Sequence, residues 1–317
     1  ASSASLRKVA AARLAVLADA HDPAGRPLIP SAAPERWWGV VEPSESEIPV
    51  RDPDSPLALS ASTIDGITTC PLQWFLRREV HADSAPTVRM SFGNVLHALA
   101  EEVARTGVTD LDDLMKRLDT VWAEITFDAP WQSAVEREAA RKALAAFLVW
   151  HDGRPGRELV GAEVGFDVTV EMEPEPVRLR GSLDRVERDA EGRMRVIDFK
   201  TSKSDVSKGD AAAHPQLATY QVAVEAGALE ALEGATRSSG GAELVMLRQI
   251  SKDGMPGVRA QDATSDAADP AWALELLAAA ATRVRAERFT PLPSEGCDNC
   301  EYRRCCSGRA EGRQVIE

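Results

Sequence analysis

The sequence predicts an α/β fold, a mixed central sheet flanked by helices and roofed by a helical cap. Three observations carry this. Apolar residues recur at helical spacing through about residue 151, strand alternation replaces that spacing after Gly161, and a helix, a strand pair and a last helix follow from about residue 211.

Taken in order, residues 1 to about 20 are rich in Ala, Leu and Arg and read as a helix. The stretch from Pro23 to Pro56 is dense in proline and reads as a connector; its Trp37 and Trp38 either pack on the domain or form a docking element. From Ser60 the hydroxyls of Ser60, Ser62 and Thr63 offer caps for an amphipathic segment that reaches Cys70-Pro71-Leu72-Gln73-Trp74-Phe75. Helical spacing then covers 91–105, 110–127 and 132–151. Strands are expected over 162–170, 177–187 and 193–199, separated by turn signals at Pro174 to Pro176 and Asp189 to Gly192. A helix over 211–226, strands near 243–250 and 256–260 and a helix over 271–287 complete the pattern.

Composition narrows the function. The 317 residues suffice for one large domain with an appended segment, and their net charge of -13 argues against a protein that wraps nucleic acid with a general basic surface. No run approaches the roughly 18 apolar residues of a membrane span, and no signal-peptide core precedes a cleavage site. A cytoplasmic protein without a membrane partner is expected. Of five cysteines, Cys70 stands alone and Cys297, Cys300, Cys305 and Cys306 cluster, a spacing that fits a metal site better than a secreted disulfide framework. Ala1 in place of Met suggests a piece of a longer chain, although processing gives the same start.

The chemistry concentrates on the central strands. Asp198 and Lys200 are two apart, so they project from one face while Ile197 and Phe199 enter the other, apolar one. Asp184 sits on the preceding strand, and the turn at 189–192 brings it roughly alongside Asp198. Two carboxylates there offer hard oxygen ligands to Mg2+ or Mn2+, and a lysine beside them can orient water and offset charge at a phosphodiester. Taken alone, Asp198 and Lys200 also suit a surface salt bridge. His97, among Phe92, Val95, Leu96 and Leu99, reads by itself as a core histidine. Glu101 either bonds the imidazole or faces solvent, and Glu163 opens the strand before the meander, within possible reach of a metal. Gln216 and Tyr220, four apart, share a helix face. Lys203 and Lys208 either meet phosphates or belong to a solvated loop.

Gly181-x-x-Asp184, Asp198-Phe199-Lys200 and Gln216-x-x-x-Tyr220, in that order and spacing, resemble the RecB-type branch of the PD-(D/E)XK nuclease superfamily. The resemblance implies a restriction-endonuclease-like core and a Mg2+- or Mn2+-dependent deoxyribonuclease. It implies catalytic roles for Asp184, Asp198 and Lys200, and a metal shell of Asp184, Asp198, the Phe199 carbonyl and His97, the last within Gly93-Asn94-Val95-Leu96-His97-Ala98-Leu99. Gln216 and Tyr220 would position the substrate or the lysine strand.

Cys70 with the C-x2-C-x5-C cluster of Cys297, Cys300 and Cys306 is similar to the iron–sulfur staple of AddB-type and AdnAB-type helicase–nucleases and of CRISPR-associated exonucleases. The resemblance implies a 4Fe–4S cluster pinning the two ends of the domain, whereas thiolate count and spacing alone admit zinc. Cys305 competes with Cys306 as last ligand, and C-x5-C matches the family better.

The likeness covers about residues 59–310 and is greatest to the C-terminal nuclease domain of an actinobacterial AdnAB subunit. It implies a helix and proline-rich tether from a helicase region over residues 1–58, and a C-terminal tail over 311–317. The expected function is hydrolysis of DNA single strands delivered by the helicase motor of the same polypeptide, with a second helicase–nuclease subunit, in double-strand break processing and recombination repair. No Walker A motif occurs. The alternatives are a stand-alone iron–sulfur exonuclease of the CRISPR-associated type and a non-catalytic DNA-binding scaffold.

Overall fold

A computed structural model describes residues 4–36, 46–82, 88–125, 127, 129–202, 205–310 and 312. Trp37, Trp38, Lys203 and most of the tail over 311–317 lie outside the described residues. After α1 (Ala4–Ala18) come a short strand β1 (Leu57–Leu59), α2 (Ala61–Thr69), α3 (Pro71–Arg78), α4 (Val88–Thr106), α5 (Leu111–Trp122) and α6 (Pro130–Asp152). The strands β2 (Glu158–Val170), β3 (Val177–Arg188) and β4 (Met194–Lys200) follow, then α7 (Lys208–Ala212), α8 (Pro215–Glu225), β5 (Ser239–Ile250), β6 (Pro256–Gln261) and α9 (Trp272–Arg285).

The local chemistry explains the boundaries. Ser60 caps α2 by accepting from the Thr63 N–H at 3.2 Å, and Asp110 caps α5 by accepting from the Asp113 N–H at 2.9 Å. The single helix expected over 211–226 is two, because Pro215 has no N–H to continue α7 and instead begins α8.

β2, β3 and β4 form the antiparallel meander, β4 and β5 pair in parallel, and β6 returns antiparallel to β5. A parallel pair needs a crossover, and α7 with α8 supplies it. β3 is unusual in carrying two partners on one edge: β1 lies parallel against Val177 to Leu179, and β4 lies antiparallel against Arg185 to Arg188. The site sits where that edge changes hands.

Alternation along β4 and β5 divides the core. Val196, Leu244 and Met246 pack under α2, α8 and α9, while Ile197, Phe199, Val245 and Leu247 pack under α4, α5 and α6. Gln216 through Val224 are all buried, so all but the ends of α8 lie inside, between the sheet and α2 and α9.

Part of the proline-rich connector is anchored. The Val50 N–H donates to Glu287 Oε1 at 2.7 Å, Arg51 pairs with Glu79, and Arg285 Nη2 donates to the Ser55 carbonyl at 2.8 Å. No described helix is long and apolar enough to cross a membrane.

Candidate active site

β3 and β4 stay paired up to Arg185 opposite Ile197 and then diverge. At that fork the Asp184 carboxylate takes the place of the missing strand: its Oδ2 accepts from the Phe199 N–H at 2.7 Å. Asp184 is thereby fixed beside the end of β4, the neighbourhood expected from the turn at 189–192. β5 holds the rest of β4, with Asp198, Phe199 and Lys200 opposite Leu244, Val245 and Met246.

Phe199 fastens this strand to the helical layer below. Its ring lies edge-on to Phe147 at 5.4 Å and to Trp150 at 5.6 Å, and burying such a side chain stabilises by about 2–3 kcal/mol. On the other face Asp198 is buried and Lys200 partly exposed.

Gln216 joins the two. Its Oε1 accepts from Lys200 Nζ at 2.7 Å, while its Nε2 donates to Asp198 Oδ1 at 2.9 Å and to the Tyr220 hydroxyl at 2.8 Å. Tyr220 in turn donates to Asp198 Oδ1 at 3.2 Å. Asp198 Oδ2 lies 2.7 Å from Lys200 Nζ, yet outside hydrogen-bonding geometry, so this buried oxygen has an ion contact and no directed donor among the described residues.

α4 brings His97. A Cβ on Gly93 would lie 2.9 Å from Thr201 Oγ1, so glycine permits the helix to approach the end of β4, and His97 follows one turn later. Its Nδ1 lies 3.3 Å from Asp184 Oδ2. Across from Asp184 stands Glu163, since the flanking pairs are Ala162 with Arg185 and Val164 with Leu183. A register shift between Leu159 and Gly161 and a left-handed φ of 47° at Glu163 distort this strand. Such a conformation costs about 1–3 kcal/mol in a non-glycine residue. Glu163 Oε2 accepts from the Ser182 hydroxyl at 2.9 Å.

Among the described residues, His97, Glu163 and Asp184 are the one group of three whose ligand atoms all lie within 4.8 Å of one another. The expected metal set paired His97 and Asp184 with Asp198; the structure puts Glu163 with the first two and turns Asp198 toward Lys200, Gln216 and Tyr220. Sequence named Glu163 only as a strand residue within possible reach. Register, which alternation leaves open, assigns its place.

The electrostatics suit a cation. Burial pushes the Asp198 carboxyl above its usual range and the charge of Asp184 adds to this, with Lys200 pulling the other way. Burial also raises Glu163, opposed by the Ser182 hydrogen bond and reinforced by Asp184. Burial would lower the His97 imidazole, but its bond to Asp184 and the charges of Asp184, Asp198 and Glu163 outweigh that and raise it. Burial and the nearby carboxylates hold Tyr220 firmly as the phenol. Crowded carboxylates with one imidazole are a hard oxygen and nitrogen donor set, which fits a divalent ion such as Mg2+ or Mn2+.

The cysteines lie elsewhere. Cys70 caps α3, Cys297 lies in a 3-10 turn over Glu295–Asn299, and Cys300 ends that turn. The turn docks on α3: Gln73 Nε2 is 3.9 Å from Cys300 Sγ, and Arg77 pairs with Glu301 at 2.7 Å. The Ser294 N–H, 3.2 Å from Cys297 Sγ, lowers that thiol. Burial raises Cys305, whose Sγ donates to the Tyr302 carbonyl at 3.3 Å.

The sequence model of the PD-(D/E)XK nuclease superfamily matches residues 58–307. No curated protein matches the chain. Among solved structures it is similar to the crystal structure of SSO0001, with a TM-score of 0.39 and 16% identity over 81% of this chain and 88% of that one, a likeness that carries no weight here. The match over 58–307 spans the forked strands, the Gln216 and Tyr220 helix and the cysteines alike: the chain belongs to the PD-(D/E)XK nuclease superfamily.

Proposed function

We propose that this domain is a Mg2+- or Mn2+-dependent deoxyribonuclease of the RecB-type branch. The observation that carries the reading is the convergence of Asp184, Asp198 and Lys200 at the fork of β3 and β4, with Gln216 bonded to both Asp198 and Lys200.

His97, Glu163 and Asp184, with Asp198 and the Phe199 carbonyl beside them, would hold the ion. Bound there, it would polarise the phosphodiester and make a water more acidic. Lys200, its ammonium steadied by Gln216 and Asp198, donates to the attacking water or to a phosphate oxygen and offsets developing negative charge. Gln216 keeps Asp198 and Lys200 in register with each other. Tyr220 remains a phenol and acts as a donor to Asp198, not as a base.

The substrate under this reading is single-stranded DNA handed over by a helicase motor of the same polypeptide, with a second helicase–nuclease subunit, during break processing of the AdnAB kind. The net charge of -13 favours a strand fed in by a partner over one captured from solution. Cys70, Cys297, Cys300 and Cys306 would hold a 4Fe–4S cluster. Cys306 is preferred to Cys305 as the fourth ligand because C-x5-C matches the resembled family better, and the docking of the cysteine turn on α3, which follows Cys70, supports the grouping.

The test is cutting of labelled single-stranded DNA with Mg2+ or Mn2+ by anaerobically purified protein and by Asp198→Ala, after recording the visible spectrum. Absorption near roughly 400 nm with cutting that vanishes in the variant supports both sites. Cutting that survives Asp198→Ala overturns the catalytic assignment, and a colourless protein lacking iron and sulfide overturns the cluster.

A further inference from the structure

Between α2 and α3, on the side facing the cysteine turn, lies a cavity of about 400 Å³. Its wall carries the hydroxyls of Ser60, Ser62 and Thr63 from the start of α2, and Arg77, Arg78 and His81 from the end of α3. Among the described residues no carboxylate lines it. That is notable in a chain of net charge -13, with 50 acidic residues against 37 basic ones.

The three cationic or imidazole groups are not equivalent. Arg77 is already matched by Glu301 at 2.7 Å. Arg78 and His81 have no ion pair or hydrogen bond among the described residues. His81 is held at a φ of 53°, the left-handed conformation that bulky side chains rarely adopt. The cavity thus presents a guanidinium fork, an imidazole and the hydroxyls of Ser62 and Thr63, with Ser60 taken up in capping α2 and, among the described residues, no acid balancing Arg78 or His81. That is the chemistry that recognises phosphate oxygens.

Its position suits a strand leading to the forked site. α2 packs directly on α8, which carries Gln216 and Tyr220. Asp65 of α2 acts electrostatically on His214 at the start of α8, and His214 is in turn influenced by Lys200 and Asp198.

We propose that this cavity is a subsite for the sugar–phosphate backbone of the DNA strand, in which Arg78 and His81 grip a phosphate remote from the scissile one. This rests on the nuclease reading above and adds a place where the substrate is held without metal. In a protein of net charge -13, one such grip keeps a strand aligned with the site between cleavage events.

The test is binding of a labelled single-stranded oligodeoxynucleotide to the protein in EDTA, where nothing is cut, across a salt titration. Arg78→Ala with His81→Ala weakens binding about tenfold and lowers the slope of log K against log salt by about 0.7 for each phosphate no longer neutralised. Arg78→Lys retains most of the slope. With Mn2+, hydrolysis of bis(p-nitrophenyl) phosphate, too short to span both places, stays at the wild-type rate in every variant.

Unchanged affinity and slope in the double variant overturn the proposal. So does an equal loss of bis(p-nitrophenyl) phosphate hydrolysis, which would mean that the substitutions act through the forked site. Inorganic phosphate that binds the cavity while leaving DNA affinity untouched also overturns it and assigns the cavity to a free anion. Failure of the nuclease reading looks different: wild-type protein then cuts neither substrate, while the binding comparison in EDTA still stands or falls by itself.

Discussion

The carboxylate fork and the cysteine turn are both built from distant parts of the chain, yet they are organised in opposite ways. At the fork, β3 and α4 each place one side chain and β4 and α8 two apiece, and several of them fix one another: Asp198 receives Gln216 and Tyr220, Lys200 rests on Gln216, and Asp184 is bonded to the backbone of Phe199. In the cysteine turn Cys297 and Cys305 answer to their own neighbours, Ser294 and Tyr302, and, among the described residues, Cys300 alone of the engaged thiols reaches a distant element. Gln73 and Arg77 tie that segment to α3. The fork is thus arranged by the fold itself, whereas the cysteines proposed as cluster ligands are held by local contacts and by the tie to α3.

The strongest way to sharpen this contrast is to remove one cysteine of the proposed cluster. Cys300→Ser should cost about 5 kcal/mol by releasing a very long closed loop, roughly 10 °C or more in Tm by calorimetry. Cutting by the molecules that remain folded should persist at low temperature. Lys200→Ala should do the reverse, with Tm nearly unchanged and kcat on single-stranded DNA down by about 10²–10³; a fall in Tm as large as that of Cys300→Ser would erase the distinction. Gln216→Ala should lower kcat by about tenfold, the scale of one missing hydrogen bond to a charged group.

Metal and pH offer a subtler comparison. Asp198, Glu163 and His97 all have raised values in the folded, metal-free protein. A raised group holds its proton in the folded state at a pH where the unfolded chain has released it, so its contribution is present below the unfolded value and is lost as pH rises through the folded one. The metal-free protein should therefore lose stability from the carboxylate range upward through the raised His97 value. Mn2+ should increase Tm more at pH 8 than at pH 5.5, read by scanning calorimetry; an equal increment at both would remove these three groups from the metal site. Arg77→Ala, which breaks a half-exposed pair with Glu301, should cost at most about 1 kcal/mol in chemical denaturation.

Much of this was legible in sequence, for identifiable reasons. Alternation marked β2, β3 and β4, and Asp198 with Lys200 stood out because a charged pair on an apolar strand breaks the local pattern, whereas Asp184 followed from its place on the preceding strand and Gln216 and Tyr220 from the resembled family's motif. β1 escaped, since three residues between Pro56 and Ser60 are too few to show a period. The division between α7 and α8 was written in Pro215 but overridden by the helical spacing around it. Glu163 was named without a definite role because its place depends on the register between β2 and β3 and on a left-handed kink, neither of which has a compositional signature. The anchored end of the connector was hidden for another reason: its partners, Glu79, Arg285 and Glu287, come from elements far along the chain.

Those anchors determine how mechanical force travels through the molecule. Tension on the chain ahead of Val50 meets Glu287 just beyond α9 first, then Glu79 just beyond α3, and then Arg285, before it reaches the three-residue β1. Arg51 also lies over the Trp74 ring, 5.8 Å from its centre, which spreads the pull into the packing of α3. A pull from upstream would thus load the ends of α3 and α9 before it reached β1, which pairs directly with β3. The segment is placed like the collar on a cable, its fastenings lying ahead of the strand that leads to the carboxylate fork.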